Sequence, residues 1–244
     1  MANHVLLNSI EHKDLKINGE RSAAMGDNVW YAQTFPMEFR SAQAHYPILF
    51  QKDSNTGQFM PVTLFGFQNE DNLFLKEGGW DATYIPLALQ RLPFYIGQKN
   101  VENEGITEQE RVITLDLDSP KVNTEQGIDL FLEYGGNSDY LEHMANVLES
   151  LHVGLQDNKD FVEALTTCEL LESVTLDIEL NDGSKNQLIG FYAINEDNLN
   201  KLSPDNLTRL HNAGFLQAIY MVIASQVNIH DLVARKNSQI AIAS

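Results

Sequence analysis

The feature that most constrains this chain is a change of period near residue 138. Before it, apolar residues come in short runs or at alternate positions. After it, Leu141, Met144, Leu148, Leu151 and Leu155 recur at three and four residues, the spacing of one helix face. Alternation then returns over Val174–Leu180 and Gln187–Tyr192 before a helical C-terminus. Strand and helix patterns are therefore segregated, and the expected fold class is α+β: an antiparallel or mixed sheet packed by C-terminal helices.

The strand signals are local. Tyr46–Phe50 and the almost wholly apolar Phe59–Phe67 flank the turn cluster Asp53-Ser54-Asn55-Thr56-Gly57, which predicts a hairpin. Because its second strand is apolar on both faces, that strand is expected in the sheet interior. Leu73–Leu75 predicts a short strand before Gly78-Gly79, and Arg111–Leu117 alternates with Ile113, Leu115 and Leu117 on one face. Asn181-Asp182-Gly183-Ser184 predicts a second hairpin turn.

Helix punctuation is equally explicit. Ser138 is placed to cap a helix over 138–171, whose second stripe, Phe161, Leu165, Cys168 and Leu171, either continues the first or follows a break near Gly154. Pro86 opens a short helix to about Gln90, and Leu92-Pro93 ends it. Ser203-Pro204 reads as an N-cap and first-turn pair for closing helices over 203–235. Their stripe of Leu207, Leu210, Ile219, Val222, Ile223 and Val227 fits core packing, with a homodimer interface as the alternative. Residues 1–28 are polar and weakly patterned, so they are expected as a loosely ordered arm before a single domain over 29–244.

Charge narrows the partners. Asp and Glu number 34 against 16 Lys and Arg, a formal net charge of -18, so phosphate backbones and anionic membranes are repelled rather than bound. No nucleic-acid partner and no membrane insertion are expected, because no apolar stretch reaches a bilayer's thickness. An export signal is not evident at Met1–Lys16, so the expected compartment is the cytoplasm, with signal-less secretion to the cell surface left open. Cys168 stands alone, beside Glu169, and reads as a small buried hydrophobe.

Catalytic motifs are sparse. Phosphate-binding glycine loops, a nucleophile elbow, Cys-x-x-Cys and His-Glu-x-x-His are all missing from the sequence. His12-Lys13-Asp14 matches half of a facial iron triad, but sits in the N-terminal arm; no metal site and no cofactor are predicted. Asp116 with Asp118, and Asp177 with Glu179, share strand faces. If their strands paired, four carboxylates would converge; the alternative is a solvated sheet face.

The densest aromatic grouping is His45, Tyr46, Trp80, Tyr84, Arg91 and Phe94, around turns in which Gly78 and Gly79 permit close approach. Rings beside one arginine and one histidine suit a small neutral or aromatic ligand, such as a sugar ring, an indole or a peptide side chain. The competing reading is a core cluster that locks the short helix onto the sheet.

The same block carries a family resemblance. His45-Tyr46-Pro47-Ile48, Asn72-Leu73-Phe74, Gly79-Trp80-Asp81-Ala82-Thr83-Tyr84-Ile85-Pro86, Arg91-Leu92-Pro93-Phe94, Leu130-Phe131 with Gly135, and Gly214-Phe215 with Ser225 and Asn228 together resemble the SapC-like family of bacterial proteins. The resemblance spans roughly residues 40–235. The family usually shows paired arginines and an aromatic before Pro-Phe, where this chain has Gln90-Arg91-Leu92. The name implies association with a bacterial surface-layer system, and the family's genomic neighbours imply nutrient uptake and oxidative modification. The family carries no agreed catalytic residues. The absence of a catalytic motif fits a non-catalytic binding or partner protein, which the resemblance links to bacterial surface or nutrient-uptake systems. An enzyme, or enzyme accessory, acting on an aromatic or sugar substrate in an oxidative pathway is the alternative.

Overall fold

A computed structural model describes residues 3–103 and 106–243. The chain divides into two compact units, each assembled from two stretches: Met1–Asp27 with Leu87–His152, and Asn28–Pro86 with Val153–Ser244. Among the described residues every paired strand is antiparallel, and the fold is α+β.

In the first unit, Phe94–Asn103 and Ile106–Asp116 form a long hairpin, and His4–Leu6 pairs along the free side of the second strand. A smaller sheet sets Lys16–Ile17 between Val122–Asn123 and Ile128–Asp129. The stretch expected as a loose arm thus supplies two strands, and its Ile17 and Asp27 are 1% and 0% exposed. Alongside Ile17, buried charge anchors it. Asp27 accepts hydrogen bonds from Arg21 Nη1 (2.9 Å), Lys121 Nζ (2.8 Å) and the Ser22 amide (3.2 Å). Burial lowers the Lys121 pKa, and the bond to Asp27 opposes that shift.

The second unit is built on a five-stranded sheet in the order Leu171–Glu179, Lys185–Ile194, Ile48–Lys52, Phe59–Leu64, Tyr31–Gln33. Both predicted hairpins are present in it. Phe59–Leu64 has a neighbour on each side, which is why Pro61, Val62, Thr63 and Leu64 are all buried. The 171–194 hairpin joins through Phe191 and Tyr192, opposite Gln51 and Phe50. Its turn places Gly183 at φ 82°, where glycine escapes the Cβ penalty.

The helix Asp139–Thr167 runs unbroken through Gly154, so the second stripe continues the first rather than following a break. Glycine serves packing instead: a Cβ on Gly154 would lie 2.9 Å from Phe35 Cγ. Ser138 Oγ accepts the Leu141 amide (3.3 Å), as a cap should. At the other end Glu169 adopts φ 53° and the Leu170 amide reaches the Leu165 carbonyl (2.9 Å), a Schellman-type stop. Cys168 is buried, as expected, and meets Arg209 Nη2 at 3.4 Å.

Pro204–Asn212, Phe215–Ser225 and Asn228–Ala243 close the chain, the first capped by Ser203 as its sequence predicts. Phe215–Ser225 docks on the sheet through two polar clips. Ser225 Oγ accepts the Ile48 amide (2.9 Å), and Gln226 Nε2 donates to the Ile48 carbonyl (2.7 Å). Leu210, Ile219 and Val222 are core, whereas Leu207 and Val227 face solvent. Among the described residues, no helix is long and apolar enough to cross a membrane.

Candidate functional site

The structure brings four of the six candidate residues together in the second unit. Tyr46 is fully buried, and its ring meets Phe74 (4.8 Å), Phe65 (5.2 Å), His45 (5.8 Å) and Trp80 (6.4 Å). Its hydroxyl donates to the Tyr84 carbonyl and accepts from Trp80 Nε1 (2.8 Å). Tyr84 Oη donates to Glu38 Oε1 (2.5 Å), and Thr34 Oγ1 donates to Glu38 Oε2 (3.3 Å). His45, half-buried, shares a hydrogen bond with Thr83 (2.7 Å between Nε2 and Oγ1). Arg235 stacks over Phe74 (4.3 Å) and pairs with Asp81 (2.6 Å) and Asp231 (2.8 Å).

The local sequence explains this knot. The Lys76–Gly79 pair closes a tight two-strand ladder in which Trp80 lies opposite Leu75. That turns the indole back onto Phe74, to which it is stacked at 6.1 Å. Desolvation drives the Tyr46 phenol pKa well above its usual value, with the Trp80 hydrogen bond and Arg235 opposing. Desolvation does the same to Tyr84, and Glu38 adds to it. Both phenols therefore stay protonated far beyond neutral pH, and act as fixed hydrogen-bonding groups rather than as acids or bases.

Arg91 and Phe94 belong to the first unit. Phe94 is buried against Tyr140 (6.1 Å between ring centroids). Arg91 lies over Tyr95 (4.2 Å) and donates to the Phe94 carbonyl (3.1 Å). Burial lowers its guanidinium pKa, with Tyr95 acting in the opposite direction.

The strand carboxylates have separate environments. Asp116 accepts the Asn3 and Asp118 amides (3.0 and 3.2 Å) in one sheet, while Asp177 takes Gln187 Nε2 (2.7 Å) in another. The strands that carry them do not pair, so pairing does not bring the four acids together. His12 Nδ1 accepts the Asn8 amide (3.1 Å), closing a local turn. Among the described residues, no group of three or more His, Cys, Asp or Glu is placed to hold a metal ion.

A second candidate was not singled out in the sequence. In the second unit, a groove of about 710 Å³ lies between the hairpin Ile48–Leu64 and the last three turns of Asp139–Thr167. Phe59, Met60, Leu155 and Val162 give it an apolar wall. Phe59 is held edge-on by Tyr192 at 4.8 Å. The hairpin tip is rigidly built: Asp53 Oδ1 accepts the Thr56 and Asn55 amides (2.7 and 2.8 Å), and Gly57 turns at φ 70°. Those amides hold the exposed Asp53 carboxyl below its ordinary pKa.

Two features set the groove apart. Its charged rim cancels, with two cations, Lys52 and Lys159, and two anions, Asp53 and Glu163, among the lining residues, in a chain of net charge -18. Asn158 also lines it, 8% exposed, and its Oδ1 meets neither a hydrogen-bond partner nor solvent. The sequence signal for this wall is the spacing Leu155, Asn158, Val162, one face of the helix with a polar residue at an inward position.

A family model described as SapC matches residues 7–232. No curated protein and no solved structure matches the chain.

Proposed function

We propose that this chain, which belongs to the SapC family, is a non-catalytic binding protein whose ligand site is the groove beside Phe59 and Asn158. The observation that carries this reading is the groove itself. A volume of about 710 Å³ falls within the range of small-molecule sites, and an apolar wall with a few placed polar groups is how such sites are made. The link to bacterial surface or nutrient-uptake systems rests on the family alone.

The enzyme reading needs a titratable group poised near neutral pH in an open cleft. Tyr46 and Tyr84 are shifted away from neutrality, and Tyr46 is enclosed by rings on several sides. Those observations favour the knot as a packing device and the groove as the site.

Native mass spectrometry of the gently purified full chain tests the proposal. The expected result is an organic adduct, near one per chain, that the variant Val162→Glu loses. A bare chain, or one carrying only a co-purified polypeptide, overturns the small-molecule reading in favour of a protein partner.

A further inference from the structure

The position of Asn158 says more about what the groove accepts. A buried carboxamide oxygen without a partner has lost its hydration and gained nothing in return. Native folds retain few such atoms. Among the described residues, only this one and Ser22 Oγ are buried without a partner, and only Asn158 lines a cavity of ligand size. The oxygen is enclosed in the free chain, but the terminal torsion of asparagine is broad, so turning the carboxamide brings its oxygen to the groove that the residue lines.

The rest of the lining limits the occupant. Contacts on the helix run from Leu155 to Thr167, about 18 Å at the helical rise, so the groove is elongated. The Thr166 and Thr167 hydroxyls already donate to the Val162 and Glu163 carbonyls (both 2.8 Å). Lys52 leans over the Phe59 ring at 5.1 Å. With the rim charges balanced, a charged head group would lose its water without a net counter-charge to replace it.

Resting on the groove as the binding site, we infer that it takes an elongated, uncharged, mainly apolar molecule carrying an N–H or O–H donor, which Asn158 Oδ1 accepts. The apolar body lies along Phe59, Met60, Leu155 and Val162. The donor supplies the partner that the protein withholds from Asn158.

A matched pair of fluorescent probes tests this on the full chain: N-phenyl-1-naphthylamine, neutral with one N–H, and its N-methyl counterpart, which has none. The wild-type protein is expected to bind the N–H probe about five- to tenfold more tightly, the worth of one hydrogen bond. In Asn158→Leu, which keeps the branched shape and heavy-atom count of the side chain, both probes still bind and the ratio falls to about one. Val162→Glu, and Leu155→Glu at the more exposed position, abolish both. Equal affinities in the wild type, or a preference that survives Asn158→Leu, overturn the donor requirement and leave the groove standing. Failure of either probe to bind, or binding unaffected by both glutamate variants, removes the groove and the inference together.

Discussion

The second unit contains two clusters of aromatic and apolar side chains that differ in how their polar atoms are treated. In the knot around Tyr46, the phenol, the indole N–H, the Tyr84 hydroxyl and both Glu38 oxygens all have partners, and rings cover Tyr46 completely. In the groove, the wall is partly open, with Leu155 50% exposed, and Asn158 Oδ1 is left alone. Apolar side chains thus close on themselves in one place and leave an opening in the other. What separates them is whether the protein has used its own donors and acceptors. A satisfied network is a finished piece of core, whereas a groove-lining residue with an unsatisfied polar atom has hydrogen-bonding capacity left for a ligand.

The largest expected effect breaks the knot. Phe74 is 1% exposed and meets Tyr46, Phe65, Trp80 and Arg235, so Phe74→Ala should destabilise the chain by about 3–5 kcal/mol. Leu155→Ala, on the groove wall, should cost less than about 1 kcal/mol because half its surface is already in water. Urea unfolding of the two variants reads the contrast directly. Similar losses would mean that the groove wall is as structural as the knot.

Next in size is Tyr46→Phe. It keeps the ring and strips the hydroxyl, leaving the Trp80 N–H and the Tyr84 carbonyl without their partner, at about 1–3 kcal/mol in urea unfolding. The same variant tests the pH behaviour of the knot. Tyr46 and Tyr84 have folded-state pKa values raised above the usual tyrosine value, which is near 10. Below that pH both states hold the proton and nothing is lost. Above it the unfolded chain releases protons that the folded chain keeps, so stability falls by about 1.4 kcal/mol per pH unit for each such group. Tyr46→Phe should flatten that decline between pH 10 and 11. An unchanged slope would mean that Tyr46 ionises as freely when folded as when unfolded.

The same contrast explains what was legible in the sequence. Alternation and turn chemistry disclosed both hairpins, and the apolar run 59–67 disclosed the interior strand, because burial on two faces leaves no room for polar side chains. Caps at Ser138 and Ser203 were legible because the chemistry of a helix start is local. The long strand Phe94–Asn103 was not, since Gln98, Lys99, Asn100 and Glu102 carry no apolar alternation; it is specified by pairing with Ile106–Asp116. Nor were the strands near His4 and Lys16 legible, because the stretch is tied down by Asp27 and its two cations, which composition reads as solvated charge. Four of the six candidate site residues met, through contacts 34–38 residues apart in sequence. The groove could not be foreseen from either of its walls, since it exists only where a turn and a helix a hundred residues apart leave a gap.

The smallest expected effect is the sharpest test of that gap. Asn158→Leu exchanges the carboxamide, with its unpaired buried oxygen, for two methyl groups on the same branched frame. Restoring packing without a desolvated acceptor should leave the free protein as stable as the wild type, or more stable by up to about 1 kcal/mol. In a knot residue with satisfied partners the same kind of exchange is costly, as Tyr46→Phe measures. Thermal unfolding of the ligand-free variant separates the two cases. A rise or no change marks Asn158 as a residue kept for something other than stability. A loss above about 1 kcal/mol would mean that the carboxamide supports the fold after all, and the difference between knot and groove would then be one of exposure alone.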